Sequence, residues 1–267
     1  MLKTRILTAA VLIGLLLVVL LWLPPWATVV AVTALILAGA WEWSAFLKLR
    51  SLTGRALFVA IVAASLPLLW QLTMSEPARL VVLWLALLWW LVALLWVMFA
   101  PGRAAAWSAA LAGLLALAPA WVAMVRLRVD VPRGEQWVLF ALCLVSAADI
   151  GAYFAGRSFG RTKLAPQVSP GKTWEGAVGG LVLAALVALW GSRWFAVPVL
   201  RLVPLCLGVV AFSIVGDLTE SLLKRFAGLK DSGTLFPGHG GVMDRIDSLT
   251  SAMPLLLLGL LVLGVAR

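Results

Sequence analysis

Long apolar segments separated by short polar loops run through the whole chain. Nine of them are long enough to cross a bilayer as helices, at approximately 6–23, 26–44, 55–73, 79–100, 104–125, 136–155, 176–198, 202–219 and 248–266. The Leu23-Pro24-Pro25-Trp26 sequence leaves room only for a tight turn between the first two. The pattern predicts an all-α polytopic membrane protein with about nine transmembrane helices. We expect residues 1–130 to form an N-terminal membrane region of about five spans, and residues 131–267 a C-terminal membrane region of about four spans that carries the two longest polar loops.

Composition supports this class. Of the 267 residues, 64% are hydrophobic and 12% charged, which is too apolar for a soluble domain. The net charge of +10 does not indicate nucleic-acid binding, because the basic residues lie in short loops. Such residues orient helices and bind phosphates or anionic membrane lipids. Many of the 15 Trp residues, including Trp43, Trp121 and Trp194, fall near predicted span ends, so we expect an interfacial belt.

The loop charges also predict an orientation. Fourteen of the 21 Lys and Arg residues fall on the side that holds the N-terminus, and seven on the other. The positive-inside rule then places the N-terminus in the cytoplasm and the C-terminus outside. Both polar loops, 156–175 and 221–247, face the cytoplasm in this arrangement, where nucleotides are available.

Acidic and basic residues cluster around the last polar loop, SLLKRFAGLKDSGTLFPGHGGVMDRID, residues 221–247. Asp217, Glu220, Ser221 and Lys224 are spaced so that a helix would present them on one face. We expect Asp217 at the cytoplasmic end of the eighth span. An alternative interpretation is a solvated helix end with an intrahelical Glu220–Lys224 ion pair.

A second oxygen-rich face is predicted at the entry to the ninth span, where Asp244, Asp247 and Ser248 follow at helical spacing. Two helix ends that each present an Asp could place oxygen ligands around one hard cation, which indicates Mg²⁺ rather than zinc. The alternative is that the carboxylates only stabilise a helix N-terminus. That alternative explains Asp247 better than Asp217, because Asp247 is expected at the start of a helix and Asp217 at the end of a span.

Glycines in the intervening loop predict close approach of the backbone to a phosphate. Lys230 and Asp231 open this loop, and Gly238, Gly240 and Gly241 surround His239, the one histidine of the chain. A histidine between loop glycines has no core to pack into, so we predict a functional role for it.

The loop that follows the sixth span carries further candidates. Asp149 lies within that span, where an ionisable group is a functional candidate. The sequence around Ser169, Lys172 and Thr173 is suggestive of a Walker A loop, but Pro166 stands where the first glycine is needed, and we predict no strand before it. The segment is still expected to bind phosphate.

Residues 221–247 resemble, without a break, the signature of the phosphatidate cytidylyltransferases, also called CDP-diacylglycerol synthases. DIGAYFAGRSFG and KLAPQVSPGKTWEGAVGG resemble a second block of that family, so the resemblance covers roughly 149–250. The matching positions of the signature are Ser221, Lys224, Arg225, Lys230, Asp231, Gly233, His239, Gly240, Gly241, Asp244, Arg245 and Asp247. Two departures, Ile150 and Thr162, stand where the family commonly has a small or hydroxyl residue and His, respectively.

The resemblance implies a membrane nucleotidyltransferase that converts CTP and phosphatidate to CDP-diacylglycerol and pyrophosphate in bacterial phospholipid biosynthesis. It also implies a homodimer in the inner membrane, a divalent metal such as Mg²⁺ with Asp217 and Asp244 as its ligand pair, and room for a second cation such as K⁺. The expected catalytic residues are Asp217, Lys224, Arg225, Lys230, Asp231, His239, Asp244, Arg245 and Asp247. The expected nucleotide-contacting residues are Asp149, Ser169, Lys172, Thr173, Ser221, Gly238, Gly240 and Gly241.

Three other functions share some of these features. An ion-coupled transporter would use Asp149, Asp217 and Asp244 as a cation pathway, but such a pathway needs polar groups near mid-membrane. A transferase that consumes a CDP-activated lipid would show a D-G-x-x-A-R helix motif, which this sequence lacks. A cytidylyltransferase for ether-linked phospholipids would share the motifs, and only its substrate would distinguish it.

Overall fold

The chain is described by a computed structural model over residues 2–49, 51–235 and 240–265. Within these ranges the helices are α1 Leu2–Leu21, α2 Pro25–Phe46, α3 Leu52–Leu72, α4 Glu76–Phe99, α5 Ala106–Asp130, α6 Gly134–Phe159, α7 Trp174–Phe195, α8 Val199–Ala227 and α9 Met243–Val262. Two short strands, β1 Lys163–Ala165 and β2 Ser169–Thr173, lie between α6 and α7. A three-residue 3-10 turn, Pro101–Arg103, precedes α5.

The multi-pass helical architecture is confirmed. Eight helices of the described chain, α2 to α9, are long and apolar enough to cross a membrane. The described apolar part of α1 is shorter, Ala10–Leu21. Each predicted span corresponds to one helix, although helix ends differ from the predicted ends by several residues. The direction in which the helices cross the bilayer stays a prediction.

Helix α8 continues beyond the predicted end of the eighth span at residue 219, as the helical spacing of Asp217, Ser221 and Lys224 predicted. The helix continues to Ala227 because Leu218, Leu222 and Leu223 keep a buried face beyond the apolar segment. It ends where Gly228 adopts a left-handed φ of 74° and donates its N–H to the carbonyl of Arg225 at 3.1 Å. Asp217 is therefore an interior residue of α8.

The segment after α6 forms a β-hairpin rather than an open loop. Lys163 of β1 pairs with Thr173 of β2 in an antiparallel register, and Val168 in the connecting turn is buried. The prediction that no strand precedes Pro166 is wrong, since β1 ends at Ala165. The hairpin is still no Walker A loop, because Ser169–Thr173 is itself extended strand.

Helices α5 and α9 form the centre of the bundle, and α2, α4, α6 and α8 pack around them. Contacts between α5 and α9 join helices from both sides of residue 130, and the division of the chain at that residue stays a prediction.

Part of the predicted tryptophan belt is wrong. Trp43 and Trp121 are buried and donate their indole N–H groups to Ala109 O and Thr33 Oγ1, both at 2.8 Å, whereas Trp194 is exposed.

Helices α6 and α7 pack with their backbones close together because small residues face each other. A Cβ atom built on Gly151 would lie 2.5 Å from the carbonyl oxygen of Gly179. A Cβ atom on Gly179 would overlap the Cβ of Ala155. Small residues allow this close approach in membrane helix pairs.

The close packing predicts that Gly179→Ala destabilises the protein. The added methyl group has no room, and overpacking of this kind costs about 1–3 kcal/mol. Gly14→Ala is the matched control, because a Cβ atom there meets nothing within 4 Å. The thermal midpoint of each purified variant in detergent, followed by loss of the monodisperse peak in size exclusion, checks this. Equal midpoints for the two variants would contradict the packing described here.

Candidate functional site

A cavity of about 410 Å³ lies among α6, α7, α8, β2 and the start of α9, and we call it the cleft. Charged and polar groups line one part of it, among them Asp149, Arg157, Lys172 and Asp217. Along α7 and α8 the lining residues further into the span are mainly small or apolar, Gly180, Val210 and Ile214, with Ser213 among them, whereas on α6 Ala148 and Ala152 flank Asp149. The cleft therefore joins a charged surface to an apolar one.

The hairpin brings Lys172 to the cleft. Its ammonium group donates a hydrogen bond to Asp217 Oδ2 and forms an ion pair with that carboxylate. Ser221 Oγ, one turn further along α8, donates to Asp217 Oδ1 at 3.4 Å. Asp217 and Ser221 share a helix face, as predicted from their spacing.

The N-terminus of α7 also lines the cleft. Thr173 is its N-cap, and Thr173 Oγ1 accepts a hydrogen bond from the N–H of Gly176 at 3.1 Å. Thr173 and Gly176 both contribute to the cleft wall. The N–H groups of Trp174 and Gly176 are already bonded, to Thr162 O and Thr173 Oγ1. The positive end of the helix dipole still favours a bound anion, so Lys172 and the start of α7 together suit a phosphate.

Several carboxylates lie near Lys172 and Asp217. Asp149 lies close enough to Asp217, Lys172 and Arg245 to interact electrostatically with them. Asp247 interacts in the same way with Asp217 and Glu220. Like charges this close repel each other in a medium of low dielectric constant. A cation bound among them would relieve that repulsion.

The donor atoms fit a hard cation such as Mg²⁺. All of them are carboxylate oxygens, and Glu220, with 1% of its surface exposed, has an Oε1 atom without a hydrogen-bond partner in the described chain. No cluster of three or more His, Cys, Asp or Glu side chains within the described ranges is arranged as a complete metal site. Mg²⁺ commonly binds one or two carboxylates and completes its shell with water and substrate phosphates.

Lys224 links α8 to α9. Its ammonium group donates to Glu220 Oε2 at 3.2 Å and to Asp244 Oδ1 at 2.8 Å. The intrahelical Glu220–Lys224 pair is thus present, but it is part of a three-residue network. Asp244, in the first turn of α9, also accepts from the N–H groups of Ser232 and Gly241, at 3.1 and 2.9 Å. Asp217 and Asp244 therefore have different surroundings, and Asp217 alone of the two is interior to its helix.

Arg225 lies apart from the cleft. It lines a second cavity of about 250 Å³ together with Gln167 and Phe226. One residue along a helix turns the side chain by about 100°, so Arg225 cannot share the face of Lys224.

The remaining predicted site residues are exposed or half-buried, or lie outside the described residues. Lys230, Asp231 and Arg245 are exposed, and Ser169 on β2 is half-buried. Gly240 has a left-handed φ of 83°, and the N–H of Gly241 is already bound to Asp244. Gly238 and His239 lie outside the described residues, so their predicted roles stay predictions.

Sequence reasoning missed four residues of this region. Arg157 donates to the hydroxyl of Tyr153 at 2.8 Å, and both side chains line the cleft. Their spacing from Asp149, four and eight residues along one helix, was the available signal. Glu42 and Ser232 contact each other and the start of α9. An acid inside the apolar span 26–44 was the signal for Glu42.

Comparison with known proteins agrees with these features. The sequence profile described as "Cytidylyltransferase family" matches residues 3–263. The phosphatidate cytidylyltransferase of Pseudomonas aeruginosa is 42% identical over 261 residues, which cover 95% of each chain. That of Haemophilus influenzae is 40% identical over 283 residues, covering 95% of this chain and 96% of the relative. That of Bacillus subtilis is 42% identical over 125 residues, 46% of each chain. With a family match over nearly its whole length and two relatives of this similarity, the chain belongs to the cytidylyltransferase family.

Proposed function

We propose that this protein is a phosphatidate cytidylyltransferase, which converts CTP and phosphatidate to CDP-diacylglycerol and pyrophosphate. The observation that carries the proposal is the cleft, where Lys172 and the N-terminus of α7 meet an apolar wall of membrane helices. The triphosphate of a nucleotide requires the positive surface, and the acyl chains of a lipid require the apolar surface. The relatives from Pseudomonas aeruginosa and Haemophilus influenzae carry this name.

The reaction needs positioning more than a strong base. An oxygen of the lipid phosphate forms a bond to the α-phosphorus of CTP, and the bond from that phosphorus to the bridging oxygen of the β-phosphate breaks. The attacking phosphate is already anionic near neutral pH, so orientation and charge neutralisation supply most of the rate. Lys172 and Arg157 orient the phosphates, and the positive end of the α7 dipole stabilises their negative charge.

The carboxylates near Lys172 would repel the phosphates unless a cation lay between them. By the family resemblance we assign Mg²⁺ to Asp217 and Asp244, and the ion would complete its shell with water and substrate phosphates. When bound, the ion would neutralise charge on the triphosphate and on the departing pyrophosphate. A second cation such as K⁺ belongs to the same proposal.

The setting of the enzyme is also proposed. The excess of basic loop residues on the side of the N-terminus supports a bacterial inner-membrane protein whose cleft faces the cytoplasm. CTP is available on that side. We further propose a homodimer and contacts of the loop Lys and Arg residues with anionic membrane lipids.

The function is tested with purified protein in detergent, CTP labelled in its α-phosphate, phosphatidate and Mg²⁺. Label is expected in a CDP-lipid only when CTP and phosphatidate are both present. Diacyl and diether substrates are compared side by side. Absence of a CDP-lipid, together with cation flux in liposomes, would contradict the proposal and favour a transporter.

Lys172→Met is expected to lower kcat/KM for CTP by about 100-fold, because it removes the fixed positive charge that the hairpin brings to the cleft. Steady-state kinetics with varied CTP measure this. Lys163→Met is the matched control, since Lys163 is an exposed lysine of β1 in the same hairpin. Equal losses in the two variants would show that hairpin charge in general, and not Lys172, assists the reaction.

Asp217→Asn and Asp244→Asn are each expected to lower kcat by about 100-fold and to raise the Mg²⁺ concentration for half-maximal activity, because each removes a charged metal ligand. Titration of activity with Mg²⁺ measures both effects. Asp247→Asn is the informative comparison, because Asp247 lies beside Asp217. A larger shift for Asp247→Asn than for Asp244→Asn would replace Asp244 by Asp247 as the second ligand. Near wild-type turnover in both Asp217→Asn and Asp244→Asn would overturn the metal assignment.

A further inference from the structure

Glu42 is a buried acid in α2, far from the polar signature in sequence. Its side chain is 8% exposed. Its carboxylate accepts hydrogen bonds from Ser232, Val242 and Met243, which are 190, 200 and 201 residues away in the chain. A carboxylate in a membrane helix is costly unless donors surround it, and here the donors come from the segment that enters α9.

The bonds from Glu42 cap the N-terminus of α9. The N–H of Val242 donates to Glu42 Oε1 at 3.0 Å, and the N–H of Met243 donates to Oε2 at 2.9 Å. Val242 is the N-cap residue and supplies no side-chain cap of its own. The first N–H groups of a helix lack partners within the helix, and a negative charge beside them is favourable. Glu42 therefore provides from α2 the cap that the local sequence lacks.

A hydroxyl connects Glu42 to Asp244. Ser232 Oγ donates to Glu42 Oε2 at 2.9 Å and accepts from the N–H of Asp244 at 3.3 Å. The N–H of Ser232 donates in turn to the Asp244 carboxylate at 3.1 Å. Asp244 is thus held by a residue that Glu42 itself holds.

Two glycines of the signature enclose the Glu42 carboxylate. A Cβ atom on Gly233 would overlap Glu42 Oε1, and one on Gly241 would overlap Glu42 Oε2 and Ser232 Oγ. Both positions therefore require glycine for a reason separate from phosphate binding. The enclosure fixes the carboxylate in one place.

We propose that Glu42 is a positioning residue for the reaction: through Val242, Met243 and Ser232 it sets the direction of the Asp244 carboxylate and its bond with Lys224. This inference rests on the cytidylyltransferase activity proposed above. It assigns a role in the chemistry to an N-terminal helix, outside the segment that carries the signature.

Glu42→Gln tests the inference with almost no change in volume. A glutamine side chain has one oxygen. Its NH₂ group must therefore face a backbone N–H that donates a hydrogen bond to the carboxylate in the wild-type protein. We expect a monodisperse protein whose kcat falls by about tenfold or more, with a higher Mg²⁺ concentration for half-maximal activity. Ser44→Ala is the matched control: Ser44 is buried in α2 two residues away, and its bonds within the described ranges are to Trp41 and Arg55, not to the Glu42 network. Its kcat and Mg²⁺ requirement should equal those of the wild type.

Ser232→Ala removes the connecting hydroxyl alone and supplies a second measurement if Glu42→Gln does not fold. It is expected to raise the Mg²⁺ requirement in the same direction. The double variant Glu42→Gln/Ser232→Ala should lose less activity than the product of the two single losses, since both act through one connection. A wild-type kcat and Mg²⁺ requirement in Glu42→Gln, or in Ser232→Ala where Glu42→Gln does not fold, would overturn the inference. Strictly multiplicative losses would overturn the connection through Ser232. An inactive wild-type protein would instead overturn the proposed function.

Discussion

The structure depends on one constraint: a carboxylate beside a membrane must have donors or a cation around it. The ammonium group of Lys224 donates hydrogen bonds to both Glu220 and Asp244, and that of Lys172 forms an ion pair with Asp217. The Lys224–Asp244 bond joins α8 to α9, and the Lys172–Asp217 bond joins β2 to α8. The groups that neutralise charge therefore also fix the relative positions of the elements that surround the cleft.

Much of the fold and part of the site could be predicted from the sequence. Spans were recognisable from apolar length, and the shared face of Asp217 and Ser221 followed from helical spacing. The same spacing indicated that α8 continues to Lys224, but its end at Ala227 was not recognisable, because a polar amphipathic helix segment has the same residue types as a loop. The contact of Glu42 with Ser232 spans 190 residues, and no local pattern encodes such a pairing.

The close packing of α6 and α7 explains how one cavity can suit two unlike substrates. Gly151 and Gly179 bring the helix backbones together. The same helices carry Asp149, Arg157 and the N-terminus of α7 to the cleft. The cleft wall thus combines charged side chains with small residues of the same two helices, so that one cavity offers polar and apolar surface.

The unbroken length of α8 has a consequence for the meeting of the substrates. At 1.5 Å per residue its 29 residues extend about 43 Å, well beyond a hydrocarbon core of about 30 Å. A helix that enters the hydrocarbon at Val199 perpendicular to the membrane has risen about 27 Å when it reaches Asp217, which is about 3 Å short of the far boundary of the core and close to the lipid phosphates beyond it. The lipid can then react while it stays in its leaflet, and the water-soluble nucleotide is the substrate that moves to the membrane.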